Sequence, residues 1–250
     1  AGPPSCSQCW SWRRPFWCVS RVGDIFVRVS FYSMSKNARP KRRYDGAGRR
    51  RQAEATRARV VAAAARAFLE HGYAGATIPV IAGEAGVALQ TVYRAAQGKA
   101  GLLAAAVNAA VAGTSARAAV PVEERPAIRA IIEAPDPSEQ LRLYAHTQPG
   151  IWARVGPLLR VLEAAAASEP DLRKLQQEQE AQRHAGLTRF ARLLQQRGAL
   201  REHLTPESAA DIIVTLGSFA TYDSLVATRG WTHDQYKTWL TDTLQHCLLF

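Results

Sequence analysis

Gln90, Thr91 and Arg94 fall in one short segment, ALQTVYRAA, and carry side chains suited to reading the edges of DNA base pairs. Gln pairs with adenine edges, Arg with guanine edges, and Thr with either. If the segment is helical, Gln90, Thr91, Tyr93 and Arg94 are offered to one side. Val92 then faces back toward a core shared with Ile81 and Val87. Upstream, Arg49, Arg50 and Arg51 form an unbroken basic run. Such side chains gain affinity for phosphates by displacing condensed counterions.

The chain's net charge of +11 is not spread evenly. Residues 1–34 hold four Arg against Asp24, and residues 35–60 hold ten Lys or Arg against Asp45 and Glu54. The remainder carries 18 basic and 18 acidic side chains, so the whole excess lies ahead of Val61. A polyanion gathered at one end of the molecule fits this distribution, and a solvated tail without a partner fits it too.

Positioning such side chains requires short helices set at an angle. Val60, Ala64 and Phe68, flanked by Val61 and Ala67, make one apolar stripe and predict a first helix from about Thr56 to His71. Gly72 should end it as a left-handed cap. Thr77 is placed to cap a second helix, IPVIAGEA, where Pro79 is tolerated in the first turn. Gly86 breaks this helix and Val87 plugs the turn. The third helix follows, and a fourth starts after Gly98 with Leu102, Leu103 and Val107. Three short helices with a Gly-centred turn between the second and third describe a helix-turn-helix.

The stretch HGYAGATIPVIAGEAGVALQTVYRAAQGKAGLL resembles the signature of TetR/AcrR-type transcriptional regulators. Gly72-Tyr73, Thr77, Ile81-Ala82, Ala85-Gly86-Val87, Thr91, Tyr93, Lys99 and Leu102-Leu103 stand in the places of that pattern. The resemblance implies that Thr77 touches one phosphate. It implies that Tyr93 and Lys99 clamp another, helped by the dipole of the fourth helix. Gln90, Thr91 and Arg94 come nearest the bases, and the arm from Lys41 to Arg51 tracks the backbone or enters the minor groove. Three positions depart from the pattern. Ala88 replaces a frequent Ser cap, Ala96 a common aromatic, and Gly98 a Ser or Asn cap.

The resemblance also implies an all-α fold, with a helix-turn-helix domain at 56–113 and a larger ligand-binding and dimerisation domain at 114–250. Helices are predicted near 126–133, 138–166, 169–198, 206–228 and 232–249, the second of them kinked or split at Pro149, Gly150, Gly156 and Pro157. The last two would pair with their copies in a homodimer. They carry Ile212, Ile213, Leu216, Phe219 and Leu225, then Tyr236, Trp239, Leu240, Leu244 and Leu248. Tyr144, His146, Trp152, Phe190 and Phe219 are the expected lining of a small-molecule cavity. The partners implied are a double-stranded DNA operator and an effector, with no cofactor.

Residues 1–33 are of another character, with Trp10, Trp12, Trp17 and a strand-like stretch from Val22 to Tyr32. They are expected to be an extension ahead of a natural start at Met34; an intact mass from the native host that includes them would refute this. Residues 34–55 are expected to form a disordered basic arm. Cys6, Cys9, Cys18 and Cys247 are too few and too scattered for a disulfide framework. Cys6 and Cys9 lack the further ligands a zinc site needs, so no metal is expected. No apolar run reaches membrane-spanning length and no signal-peptide order is present, so a cytoplasmic protein is expected. No nucleophile elbow, phosphate loop, HExxH or paired-carboxylate motif appears, and Asp211 and Asp223 read as solvated edge positions rather than catalytic ones. The competing expectation is a helical sensor or scaffold dimer without specific DNA binding.

Overall fold

A computed structural model describes residues 46–250. The expectations for residues 1–45 lie outside the described residues, including the extension, the first part of the arm and Cys6, Cys9 and Cys18.

Helix α1 spans Gly46–Gly75, so residues 46–55, Arg49 to Arg51 among them, are helical rather than a disordered arm. Low apolar content suggested disorder, but Ala, Arg, Gln and Glu are strong helix formers. Here they extend an amphipathic helix that the core already nucleates. Residues 49–55 are exposed, and burial begins in earnest at Val60. At Gly72 the backbone has φ 65° and ψ −178°, a break with positive φ but extended ψ, not the left-handed cap expected.

Thr77 caps α2 (Ile78–Ala85), accepting from the Val80 N–H at 3.4 Å, and Pro79 sits in the first turn. Gly86 closes α2 in the left-handed region (φ 61°, ψ 44°), a conformation that favours Gly. Next come α3 (Leu89–Ala95) and α4 (Gly98–Ala112). Val60, Ala64, Ala67 and Phe68 of α1 pack with Ile81, Val92, Leu102, Leu103 and Val107 into a fully buried core. Phe68 stacks on Tyr73 with ring centroids 5.9 Å apart.

Two short turns, α5 (Ser115–Ala118) and a 3-10 turn at Val122–Glu124, lead to α6 (Pro126–Glu133). Helix α7 (Pro137–Ala166) is then the hub: α1, α4, α6, α8 and α11 all pack on it. It runs unsplit through Pro149 and Pro157. Packing on several sides holds the helix where a proline removes a ladder bond. Beside Pro149, the Thr147 hydroxyl and Gln148 amide donate to the Tyr144 carbonyl at 2.7 and 3.3 Å. Helix α8 (Pro170–Gln196) returns along it.

The predicted helix 206–228 is in fact three pieces: α9 (Pro206–Leu216), α10 (Phe219–Tyr222) and a π-helical turn at Asp223–Thr228. The break is stabilised from both sides. Ser218 caps α10 by accepting from Thr221 N–H, and Arg183 of α8 donates to the Val214 and Gly217 carbonyls at 3.2 and 2.7 Å. Helix α11 (His233–Leu248) closes the chain with a Thr232–Gln235 capping box. Among the described residues β pairing is limited to an isolated bridge between Leu200 and Leu249. The described residues fall in one compact unit, so no physical gap marks the division expected near Gly113.

The apolar residues of the last helices are largely used within the chain. Ile213, Tyr236, Leu240, Leu244 and Leu248 are fully buried in it. Ile212, Leu216, Leu225 and Trp239 remain half-buried at the surface.

Candidate nucleic-acid interface and candidate effector site

The turn at Gly86 aims α3 so that Val92 is buried while Gln90, Tyr93 and Arg94 are exposed, Tyr93 by 57%. Thr91 is half-buried on the flank of this face. A bare, rigid helix presenting an amide, a phenol and a guanidinium can enter a major groove without rearranging. Leu89, 48% exposed on the same helix, was missed by sequence reasoning. An apolar residue there can meet a thymine methyl. Its exposure is the signal, and the spacing alone would have sent it to the core.

Thr77 is exposed at the start of α2, and Arg49, Arg50 and Arg51 are exposed on the first turns of α1. Lys99 sits differently from the expected clamp with Tyr93. Its ammonium donates to the Ala74 carbonyl at 3.1 Å and lies 4.4 Å from the centroid of the Tyr73 ring. Partial burial holds its pKa below the usual lysine value, with Glu169 opposing. Lys99 therefore staples the start of α4 to the end of α1, and two of its three donors are left for other partners.

Two of the three departures from the expected pattern have visible consequences. Ala88 has the extended backbone of a cap (φ −67°, ψ 149°) but no side-chain bond to the free N–H groups of α3. Ala88→Ser is expected to stabilise the protein by about 1 kcal/mol. Calorimetry should show a raised melting temperature, and no rise would mean that the hydroxyl does not reach the amides. Gln97, ahead of Gly98, likewise supplies no side-chain cap to α4. Elsewhere on the surface of α1 and α2, Glu70, His71 and Glu84 bring possible ligand atoms within 4.8 Å of one another. All three are exposed, and Glu84 already pairs with Arg66 at 3.6 Å.

The second cluster lies between α7, α8, α10 and α11. Tyr144 and Trp152 are 7% exposed, and Phe190 and Phe219 half-buried. Tyr144 pairs with Phe190 and Trp152 with Phe219, both with ring centroids 5.9 Å apart. His146, expected with them, is on the exposed side of α7 among Arg142, Lys237, Glu139 and Asp234. One helical step of two residues from Tyr144 turns it outward. Its pKa is lowered, first by partial desolvation and then by the two cations. Sequence reasoning missed Arg183, whose guanidinium lies 5.3 Å from the Trp152 centroid, and did not place Tyr236 in this cluster. Asp211 meets His184 at 2.9 Å and Asp223 pairs with Arg160, so both carboxylates serve surface contacts.

A link joins the two regions. Arg154 of α7 donates to the Ala110 carbonyl of α4 at 3.1 Å, and Gln179 of α8 to Asn108 of α4 at 3.3 Å. Helix α4 thus packs on α1, which carries α2 and α3, and on the aromatic cluster's own α7 and α8.

A helix-turn-helix with an exposed third helix, backed by a larger helical bundle, is the architecture of a class of DNA-binding regulators. Residues 60–106 match the profile of the bacterial regulatory proteins of the tetR family. The matched stretch runs from the buried part of α1 through α2 and α3 into α4. The fold recurs in solved structures. NalD of Pseudomonas aeruginosa, the secondary repressor of the MexAB-OprM multidrug efflux pump, is 22% identical with TM-score 0.57, over 78% of this chain and 97% of that one. The fatty acid degradation regulator FadR of Bacillus halodurans is 18% identical with TM-score 0.60, over 76% and 94%. SmeT, in complex with triclosan, is 21% identical with TM-score 0.61, over 78% and 92%. A comparison with curated protein sequences finds no match. Among the described residues no helix is long and apolar enough to cross a membrane.

Proposed function

We propose that this chain is a homodimeric repressor that binds a double-stranded DNA operator and is released by a small-molecule effector. The observation that carries the reading is the face of Gln90, Tyr93 and Arg94, held exposed by a buried Val92 behind the Gly86 turn. In it, Gln90, Thr91 and Arg94 read bases, and Thr77 and Tyr93 hold phosphates. Lys99 orients the start of α4 and reaches a phosphate with its remaining donors. Arg49, Arg50 and Arg51 lie along the backbone from a helix rather than from a loose arm.

Dimerisation through the last helices is supported by two shallow surface grooves. One is lined by Ile212, Leu216 and Cys247 with Asp211 and Thr215, the other by Leu225, Trp239 and Arg229 with Ala220, Thr221 and Ser224. These are the apolar side chains that the chain's own core leaves over. Two reading helices must lie about 34 Å apart, or a matched spacing, to enter successive major grooves. An effector acts by favouring another spacing, and its leverage equals its differential affinity for the two states. NalD is a secondary repressor and SmeT was solved in complex with triclosan, which accords with both halves of the reading.

A second reading is a helical sensor or scaffold without specific DNA binding. The missing caps of α3 and α4 and the engaged Lys99 favour it. Fluorescence anisotropy with the intergenic DNA beside the gene separates the two. A repressor binds that DNA well above random DNA at both low and moderate salt. Binding equal to random DNA and lost as salt rises would leave the sensor reading.

A further inference from the structure

Three buried polar atoms in the aromatic cluster, the Tyr144 hydroxyl, the Trp152 indole nitrogen and the Tyr236 hydroxyl, close no hydrogen bond of good geometry, although Arg183 lies near the first and the other two lie near each other. Their residues are 7%, 7% and 0% exposed. Buried polar atoms are nearly always well paired, so three without a good bond in one place mark a site rather than ordinary core. The three act on one another. Burial holds both phenols above the usual tyrosine value, with Tyr144 raising Tyr236 further; Arg183 pulls both down, and the Trp152 N–H lies close enough to Tyr236 to do the same.

The donor and acceptor count gives the chemistry of what would pair them. An indole N–H and a guanidinium donate only, and a phenol can donate. Arg183 spends two bonds on the Val214 and Gly217 carbonyls, which orient it without cancelling its charge. A cationic guest would meet this charge, and the ring faces that would attract it are occupied: Arg183 lies over Trp152, and Arg160 is 5.5 Å from the Phe219 centroid. The walls are flat and aromatic. We infer that this cluster is the effector site and that its ligand is a flat aromatic acid, its ring among Trp152, Phe190 and Phe219 and its carboxylate facing Arg183, Trp152 and the two phenols. The inference rests on the reading of the chain as a ligand-released regulator and names the ligand class of that site.

Room for the ring comes from the broken segment. Phe219 opens α10 just after the Gly217–Ser218 break and rests directly on the backbone of Gly156, where a Cβ would be 2.2 Å from its ring. When Phe219 swings aside, α10 and the π-turn move with it, and these line the groove of Leu225, Arg229 and Trp239 assigned to dimerisation. Helix α7, carrying Tyr144 and Trp152, passes the change to α4 through Arg154.

Titration calorimetry of the full chain with 2-naphthoate, 2-naphthamide and choline tests the inference without DNA. Naphthoate is expected to bind about tenfold or more tighter than the neutral amide, as a charge-assisted pair requires, and choline not to bind. Tyr144→Phe and Tyr236→Phe each remove a buried hydroxyl that closes no hydrogen bond of good geometry. Each should keep or raise the melting temperature while weakening naphthoate about tenfold. Arg183→Met should abolish the preference for the acid; because Arg183 also caps α9, the tyrosine variants carry the test if that protein does not fold. Equal binding of acid and amide, tighter binding of choline, no saturable binding of naphthoate, or a lowered melting temperature in both tyrosine variants would overturn the inference. Failure here leaves the anisotropy result untouched. Random-like DNA binding beside intact naphthoate binding would remove the repressor reading and keep the site.

Discussion

Tyr93→Ala combined with Arg94→Ala is expected to weaken operator binding at least about a hundredfold, since a good base contact contributes about 1–3 kcal/mol of discrimination and each dimer carries two copies. The fold should not notice. Both side chains are exposed, and their neighbour Val92 does the packing. Substitutions at such positions usually stay within about 0.5 kcal/mol of the parent. The decisive pair of measurements is anisotropy on operator and random DNA, together with the melting temperature. Lost discrimination at an unchanged melting temperature assigns the two residues to the interface. If operator affinity survives, α3 is not the reading helix. If the melting temperature falls sharply, the pair is structural.

The second large effect concerns Gly156. A Cβ there would lie 2.2 Å from Phe219 Cε2 and 2.7 Å from Cζ, distances no packed pair tolerates. Gly156→Ala must push the ring away, and overpacking of this kind costs about 1–3 kcal/mol. In a protein of this size that lowers the melting temperature by several degrees. The gain in helix propensity from Gly to Ala, up to about 1 kcal/mol, offsets only part of it. Phe219→Leu made in the Gly156→Ala background should cost far less than in the parent, because the two sites touch and their effects are not additive. Equal costs in both backgrounds would show that Phe219 is not what Gly156 makes room for.

The reading helices were legible because their signals are local. The run Ala85-Gly86-Val87 announces a left-handed turn and an apolar plug, and Val60, Ala64 and Phe68 announce a buried stripe. Both are found where the spacing puts them. Thr77 advertised its cap in the same way. Other features depend on partners far along the chain. Arg183 meets the Val214 and Gly217 carbonyls more than thirty positions away, so neither the break after Leu216 nor the aromatic cluster's charge could be read from the apolar run that contains it. Helix α7 continues unsplit through its prolines for a related reason. Its neighbours fix its path, and a local pattern carries no record of neighbours. His146 was misplaced by grouping aromatic and titratable residues by proximity in sequence rather than by helical phase.

The hub position of α7 also sets a timetable. Gln245 of α11 donates to the Ser138 carbonyl of α7 across a sequence separation of 107 residues, and Leu240, Leu244 and Leu248 are buried in the core it shares. At bacterial and eukaryotic translation speeds of about 5–20 residues per second, that gap is on the order of 5 to 20 seconds. For that interval a nascent chain leaves the ribosome with its reading head complete and the α11-facing side of its central helix bare. A stop codon that removes α11 makes the interval permanent, yielding a polypeptide able to form the head but open to chaperone capture and proteolysis behind it.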